Sequence, residues 1–197
     1  MARGVVQRRE VVVVVLDLGP LEHAVSEPDE AETDAAALDL GYKPYDLIDD
    51  SPLTLDIPGS GIWSPKNYNG KFKGSVTLLE AFTESLNIPA VRLSEAIGSN
   101  NVRNVAAGFG LSTELAKGPA IALGASESTL IEMTGAYAGI LNGGSSVTPF
   151  GLQELRLLGE DAPVMGAGGG IGERVIQEEA AMQLMFLMQQ VVLYGTG

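Results

Sequence analysis

The chain has 197 residues, 45% of them hydrophobic, which is enough for one domain with a core of ordinary size. Its net charge of −13 opposes binding to nucleic acid or to an anionic membrane, because both need a basic surface. The absence of cysteine excludes disulfides, thiolate metal sites and a cysteine nucleophile.

The first apolar run is Val11–Leu16, VVVVVL, and its consecutive valines predict a β-strand. The run is too short to span a bilayer and is followed by Asp17, so it predicts no transmembrane segment or anchor. Arg3, Arg8 and Arg9 precede it as in a signal peptide, but the apolar block is short and no small-residue cleavage site follows. We therefore expect no signal peptide.

The stretch SEPDEAETD, Ser26–Asp34, carries five acidic residues and no basic one. Such a run is typical of a solvated or disordered surface. Composition changes abruptly after it, so we divide the chain into an acidic N-terminal segment, residues 1–36, and a second unit, residues 37–197. The stretch Ile57–Ser75, which contains the single tryptophan Trp63, is rich in Gly, Pro, Ser and Asn and predicts a long structured loop.

A helix is predicted to begin at Thr77, because Thr77 and Glu80 have the spacing at which two side chains cap a helix N-terminus reciprocally. Pro89 cannot continue that helix, which should therefore end near residues 86–87. This places Ser85 at a helix C-terminus. Whether Ser85 and Asn87 are a catalytic pair or only helix-end residues stays open, and local sequence physics favours the helix end.

Further helices are predicted over Pro89–Ile97, over Asn101–Phe109 and from Thr129 onward, the last with a second capping pair. Phe150–Asp161 predicts a strand, and residues 177–195 predict a final helix. The helix after Thr129 has a predicted apolar stripe of Leu130, Met133, Tyr137 and Leu141. The final helix has large apolar residues that we assign to the core: Met182, Met185, Phe186 and Met188.

Other catalytic or metal-binding arrangements find little support. His23 is the only histidine and lies near the acidic run, which disfavours a Ser-His-Asp triad and a zinc site. The glycine run at residues 166–172 lacks the spacing and the lysine of a phosphate-binding loop and is interpreted as a surface turn. Glu80 and Glu84 are four residues apart, which is typical of one wet helix face rather than an acid-base pair. We therefore predict neither metal nor cofactor.

Four segments resemble, in order and spacing, the transpeptidase domain of class A (bifunctional) penicillin-binding proteins, from about Ala37 to Gly197. They are ALDLGYKPYDLIDDSPLTL, WSPKNYNGKFKGSVTLLEAFTESLNIPAVRL, IALGASESTLIEMTGAYAGILNGG and LMQQVVLYGTG. The resemblance implies an α/β, helix-rich domain of the serine β-lactamase/D,D-transpeptidase type. The implied activity is the cross-linking of peptidoglycan stem peptides through an acyl-enzyme, with β-lactams as inhibitors.

The family uses three motifs: Ser-x-x-Lys, a central Ser-x-Asn element and Lys-Thr-Gly. Ser85-Leu86-Asn87 resembles the second, which implies that Ser85 relays a proton and that Asn87 hydrogen-bonds the substrate's peptide amide. Trp63, in the preceding loop, is a further candidate substrate-binding residue. By resemblance the protein would act at the periplasmic face of the bacterial inner membrane.

The other two motifs are absent. The family places Ser-x-x-Lys roughly ten residues before the segment that reads DLGYKP here, which falls in SEPDEAETD. Ser26 is present there, but no lysine is. No lysine in the chain has a serine three residues before it, and GTG at residues 195–197 is not followed by Lys-Thr-Gly. We therefore expect a partial domain without its C-terminal sheet strands and without a glycosyltransferase domain.

Three hypotheses follow from this mixture of matching and missing motifs. The chain is a partial transpeptidase domain with little activity of its own, a non-catalytic module that binds a peptide or a protein, or a truncated chain that does not fold uniquely. A frameshifted or mis-started reading frame is one hypothesis for residues 1–36. Oligomeric state cannot be inferred from these patterns.

Overall fold

The structure is a computed structural model that describes residues 28–112, 114–150, 154–155, 165–166 and 169–195. The predicted Val11–Leu16 strand, His23 and Ser26 lie outside these residues. Most of the predicted strand at residues 150–161 does so as well. The elements, in chain order, are α1 Pro28–Asp39, β1 Leu47–Asp50, β2 Leu55–Ile57, β3 Gly61–Trp63, β4 Gly74–Thr77, α2 Leu78–Thr83, α3 Asn87–Ile97, α4 Ser99–Gly108, a 3₁₀ helix Pro119–Leu123, α5 Leu130–Leu141, β5 Ser145–Thr148, β6 Glu154–Leu155, β7 Met165–Gly166, β8 Gly170–Arg174 and α6 Glu178–Tyr194.

Helices dominate the described chain, and its strands form four antiparallel pairs: β1 with β4, β2 with β3, β5 with β8 and β6 with β7. In the first pair Leu47 lies opposite Thr77 and Asp50 opposite Gly74. This pairing brings the end of β1 next to the loop that precedes β4. It therefore places Asp50 beside the segment that leads into α2.

Helix α1 lies at the centre of the main core and contacts α3, α4, α6 and the 3₁₀ helix. Its alanines Ala35–Ala37 are 0 to 1% exposed, so neighbouring helices approach its backbone closely. The expectation that the acidic run is solvated or disordered is wrong for the part described, because Glu32 and Asp34 are also buried. The number of acidic residues predicts a solvent-exposed helix, but the small alanine side chains allow other helices to pack against α1 on several sides. The predicted boundary between residues 36 and 37 falls within α1.

The start of α6 is joined to the end of α1 by polar contacts. Asp39 Oδ1 accepts a hydrogen bond of 2.6 Å from the backbone N–H of Gln177, the N-cap residue of α6. Lys43 Nζ donates to Glu179 Oε1 at 2.7 Å, and this ion pair holds the pKa of Glu179 below its usual value. These contacts join two helices of the core, α1 and α6, that lie near opposite ends of the described residues.

Two core predictions are wrong in detail. In α5 the predicted stripe is half right, because Met133 and Tyr137 pack partly against the core whereas Leu130 and Leu141 are exposed. The fully buried face of the helix includes Gly139 and Ile140. The ring of Phe109 and the β5 backbone press against Gly139, so the close contact requires the small residues of this helix. In α6, Met182 is exposed, whereas its other three large apolar residues pack partly against the core: Met185, Phe186 and Met188.

Within the described residues, no helix is both long and apolar enough to cross a lipid bilayer. The same residues contain no group of three or more His, Asp or Glu side chains placed to hold a metal ion.

Candidate functional site

Ser85 and Asn87 lie at the short connection between α2 and α3. Helix α2 begins as predicted at Thr77, whose Oγ1 accepts a 3.1 Å hydrogen bond from the backbone N–H of Glu80. The helix ends at Thr83, a little earlier than the predicted residues 86–87. Helix α3 begins at Asn87, and Pro89 fits its first turn, where a missing N–H costs nothing. The proline therefore belongs to the second helix and is not what ends the first.

Two backbone hydrogen bonds close the end of α2. The N–H of Ser85 donates to Phe82 O at 3.2 Å, and the N–H of Leu86 donates to Ala81 O at 2.9 Å. This pair of bonds defines the Schellman motif, which requires a left-handed residue after the cap and favours an apolar contact beyond it. Leu86 supplies that contact by packing against Ala81 and Val76. The turn that contains Ser85 is thus stabilised by two backbone hydrogen bonds and by the apolar contact of Leu86.

Ser85 occupies the left-handed position of this turn with φ of +50°, alone among the non-glycine residues described. Glycine is the usual residue there, and an L-residue with a side chain pays about 1 kcal/mol for the conformation. Backbone strain of this kind persists where the surroundings impose it and is concentrated at functional sites. The backbone at Ser85, a partly exposed position, is therefore held in a conformation that glycine would adopt more easily.

Asn87 is partly exposed at the first position of α3. Its Nδ2 donates a 2.8 Å hydrogen bond to the carbonyl of Lys66 in the loop before β4. Its Oδ1 accepts no hydrogen bond from the residues that the structure describes. The carboxamide is thus oriented through one N–H, and its acceptor and second N–H have the hydrogen-bonding pattern that complements a peptide amide.

The loop that holds Asn87 is organised by two buried polar residues, Asn67 and Asp50, which are 4% and 0% exposed. Asn67 Nδ2 donates to Asp50 Oδ1 and to Lys71 O, both at 2.8 Å, and Asn67 Oδ1 accepts from the N–H of Ile88 at 3.2 Å. Asp50 Oδ2 accepts from the N–H of Lys73 at 2.8 Å. The sequence predicted a structured loop here, but it offered no signal that separates the buried Asn67 from the exposed Asn69.

Glu80 and Glu84 have a defined partner. Lys73 Nζ donates to Glu80 Oε1 at 2.9 Å and to Glu84 Oε1 at 2.6 Å, and all three side chains are partly exposed. The hydrogen bonds to Glu84 and then to Glu80 raise the pKa of Lys73 above its usual value. These carboxylates hold a lysine on the outer side of α2, which agrees with their interpretation as a solvated helix face.

Trp63 ends β3 just before this loop and is partly buried. It packs against a small apolar cluster on α3 and the 3₁₀ helix that includes Ala90, Val91 and Ala122. Its place in substrate binding stays a prediction. Two depressions of about 580 and 200 Å³ lie along α4, and neither is lined by Ser85, Asn87 or Trp63.

Comparisons with known proteins place this geometry in a family. The Penicillin binding protein transpeptidase domain model matches residues 32–197. The chain belongs to this family. It is 40% identical over 115 residues to Penicillin-binding protein 1A of Rickettsia felis, and 33% identical over 159 residues to Penicillin-binding protein 1B of Escherichia coli. These alignments cover 58% and 79% of this chain but 15% and 19% of the relatives, so the chain spans less than a fifth of their length.

Solved structures agree. Penicillin-binding protein 1A from Haemophilus influenzae has a TM-score of 0.75 at 25% identity, over 87% of this chain and 30% of that one. PBPA from Mycobacterium tuberculosis has a TM-score of 0.73 at 23% identity, over 85% and 44%, and therefore shows a shared fold. These matches confirm the predicted fold class and the assignment to part of a class A transpeptidase domain.

Proposed function

We propose that this chain carries the central part of a D,D-transpeptidase site that recognises peptidoglycan stem peptides and β-lactams, and that residues 1–197 form no acyl-enzyme by themselves. The observation that carries the proposal is the pairing of Ser85, fixed in a left-handed turn, with Asn87, whose carboxamide is oriented by Lys66 O. Family membership supplies the substrate class. In a cell envelope the proposed place of action is the periplasmic face of the inner membrane.

The absence of acyl transfer is inferred from the missing nucleophile and base. No lysine of the chain follows a serine by three residues. The segment that would hold the pair leads into α1, whose first seven residues, 28–34, contain four acidic side chains and no lysine. Nucleophile and base act as one unit, so the loss of either removes most of the rate enhancement that both provide.

Incubation of the 197-residue chain with a fluorescent penicillin, followed by denaturing electrophoresis and intact-mass measurement, tests this statement. We expect no covalent adduct, while a full-length penicillin-binding protein in the same assay is labelled. A mass increase of one penicillin that maps to Ser26, Ser85 or any other serine would overturn it.

A non-catalytic binding module is the second candidate function, and the retained orientation of Ser85 and Asn87 without a nucleophile favours it. Isothermal titration with a synthetic stem peptide that ends in two D-alanines measures such binding. Asn87→Ala should raise the dissociation constant about threefold to tenfold, which is what one lost hydrogen bond is worth. Asn142→Ala is the matched control, because Asn142 Nδ2 also donates to a backbone carbonyl at 2.8 Å, but at the end of α5. If the unmodified chain binds neither peptide nor penicillin, the recognition proposal is wrong.

A further inference from the structure

The N-terminus of α3 lacks a cap from its own segment. Its N-cap residue is Leu86, which has no side-chain oxygen to offer the first backbone amides. Ile88 is 0% exposed, so its N–H needs a partner inside the protein. Asn67 Oδ1 provides that partner at 3.2 Å, from a residue 21 positions earlier in the chain. Asn67 therefore caps α3 from outside the helix.

Every hydrogen-bonding group of the Asn67 carboxamide is engaged. The two Nδ2 hydrogens face Asp50 Oδ1 and Lys71 O, which only accept, and Oδ1 faces the Ile88 N–H, which only donates. The orientation of the amide is thus determined by its partners. Asp50 uses its second oxygen for the N–H of Lys73, so the same pair holds both ends of the segment from residue 67 to residue 73.

The Asn67–Asp50 pair, which joins the loop to the start of α3 and is called the junction below, is linked to Asn87 in two ways. The Asn87 backbone is followed directly by Ile88, which Asn67 caps, and its side chain donates to the carbonyl of Lys66, the residue immediately before Asn67. A displacement of Asn67 would move both the peptide that follows Asn87 and the carbonyl that orients its carboxamide. Asn67 itself is buried and does not offer a surface to a ligand.

We propose that Asn67, held in place by Asp50, is the positioning residue that orients the Asn87 carboxamide of the candidate site. The role in ligand binding rests on the proposed function above, whereas the role in orienting Asn87 does not. Asn67 acts through Asn87 and touches no reacting atom. Without the junction, we expect Asn87 to sample several rotamers and the start of α3 to fray.

Amide hydrogen exchange and side-chain NMR on the full chain test the positioning role without any ligand. In the unmodified protein, the Ile88 amide should exchange slowly and the Asn87 side-chain amide should give one sharp pair of signals. In Asn67→Ala, the Ile88 amide should exchange about tenfold faster or more, because it loses its acceptor. The Asn87 side-chain signals should broaden or shift toward those of a mobile amide. Unprotected exchange of Ile88 in the unmodified chain would by itself overturn the proposal.

The matched control is Asn69→Ala. Asn69 lies two residues farther along the same loop, is exposed, and among the described residues accepts a hydrogen bond only from the nearby N–H of Lys71. The Asn69→Ala substitution should leave the Ile88 exchange rate and the Asn87 side-chain signals unchanged. Equal effects of the two substitutions would mean that the loop as a whole, and not the Asn67 junction, orients Asn87.

Swapping the residues at positions 50 and 67 tests the junction further. This swap also covers the case in which Asn67→Ala fails to fold. Asn67→Asp alone places two carboxylates in contact in a buried site and should release Ile88. Combining it with Asp50→Asn restores a donor–acceptor pair and keeps an acceptor near Ile88, although the bond to Lys71 O is lost. The double variant should recover slow Ile88 exchange and the Asn87 signals. A folded double variant that keeps fast Ile88 exchange would contradict the proposal.

Binding of the D-alanine peptide completes the test. If the unmodified chain binds it, Asn67→Ala should weaken binding by up to about threefold to tenfold and no more than Asn87→Ala, because both substitutions remove the same contact. The double variant should remain within about threefold of the unmodified chain. Normal affinity in a folded Asn67→Ala variant would refute a positioning role in binding. If neither the unmodified chain nor any variant binds the peptide, the proposed function fails. The hydrogen-exchange data then still decide whether Asn67 positions Asn87.

Discussion

At the residue scale, the informative observation is a serine where a glycine belongs. Local rules predict glycine at the left-handed position of a Schellman turn, and the chain follows that rule at many other positive-φ positions. Where a chain breaks one local rule inside an otherwise regular turn, the exception points to function. The hydroxyl of Ser85 is thus the reason to expect a chemical role that the turn itself does not require.

Replacing Ser85 by glycine and by alanine separates strain from the hydroxyl, because both substitutions remove the hydroxyl and only glycine removes the strain. We expect Ser85→Gly to be more stable than Ser85→Ala by about 1 kcal/mol in urea denaturation. At Asn104, an exposed residue in the middle of α4, the order should reverse, with alanine more stable than glycine by about 0.5 to 1 kcal/mol. Both Ser85 variants should lose affinity for the stem peptide to a similar degree. Alanine equal to glycine at position 85 would show that the turn is unstrained.

At the element scale, helix starts are predicted well and helix faces poorly. Thr77 and Thr129 cap α2 and α5 as predicted. The Thr129–Glu132 pair forms a full capping box, whereas the carboxylate of Glu80 pairs with Lys73. The two caps are complete within one turn of helix, so the sequence contains all the partners. The buried face of α5 depends on Phe109 and on β5, which lie outside the helix, and the apolar stripe chosen from its own residues is therefore right only for Met133 and Tyr137.

Glu132 does more than cap α5. Besides Thr129, its carboxylate accepts from the N–H and the hydroxyl of Ser112 at 3.1 and 2.5 Å, which braces the loop after α4 against the helix. The Ser112 hydroxyl contributes most, followed by the Thr129 amide, and together these bonds lower the pKa of Glu132 to about 2, from 4.5. A carboxyl whose pKa is lower in the folded state stabilises the fold above its unfolded pKa, and that contribution disappears as the pH falls through the folded pKa.

Glu132→Gln should therefore reduce the stability of the protein at neutral pH and flatten its loss of stability between pH 4.5 and pH 2. Below that window the variant and the unmodified chain should converge, because protonated Glu132 has lost its extra bonds. Thermal midpoints across the pH range measure this. Glu114→Gln, at an exposed side chain paired with Lys117, should leave the fall of the thermal midpoint between pH 4.5 and pH 2 unchanged. If the thermal midpoints of Glu132→Gln and the unmodified chain fall in parallel as the pH is lowered, the proposed contribution of Glu132 to stability is contradicted.

At the scale of the whole molecule, α1 connects parts that are far apart in sequence. It contacts α3 and α4, the 3₁₀ helix farther along the chain, and α6 near the end of the described residues. Its buried alanines allow this close approach, and Glu32 and Asp34 are buried with them. The protein is therefore expected to lose its fold as one unit when α1 is displaced.

Ala35→Leu tests this cooperativity. Ala35 is 0% exposed, so a larger side chain should overpack the core and lower the free energy of unfolding by about 1 to 3 kcal/mol. Trp63, the single tryptophan, packs on α3 and the 3₁₀ helix, and its fluorescence reports on that cluster. The midpoint in urea should shift accordingly, whereas exposed Ala107→Leu on α4 should change stability by less than about 0.5 kcal/mol. An unchanged Trp63 midpoint in Ala35→Leu would mean that α1 does not belong to this cooperative unit.

The sequence alone determined the family, the caps of α2 and α5, the place of Ser85 at a helix end and the missing nucleophile–base pair. Each of these depends on residue types at short, fixed spacing. Only the tertiary structure decided that α1 is buried, that Ser85 adopts a left-handed conformation, and that Asn67 rather than Asn69 joins Asp50 to the start of α3. The partners in these cases come from separate elements, and the packing of those elements determines which polar side chain loses its water and must find a partner in the protein.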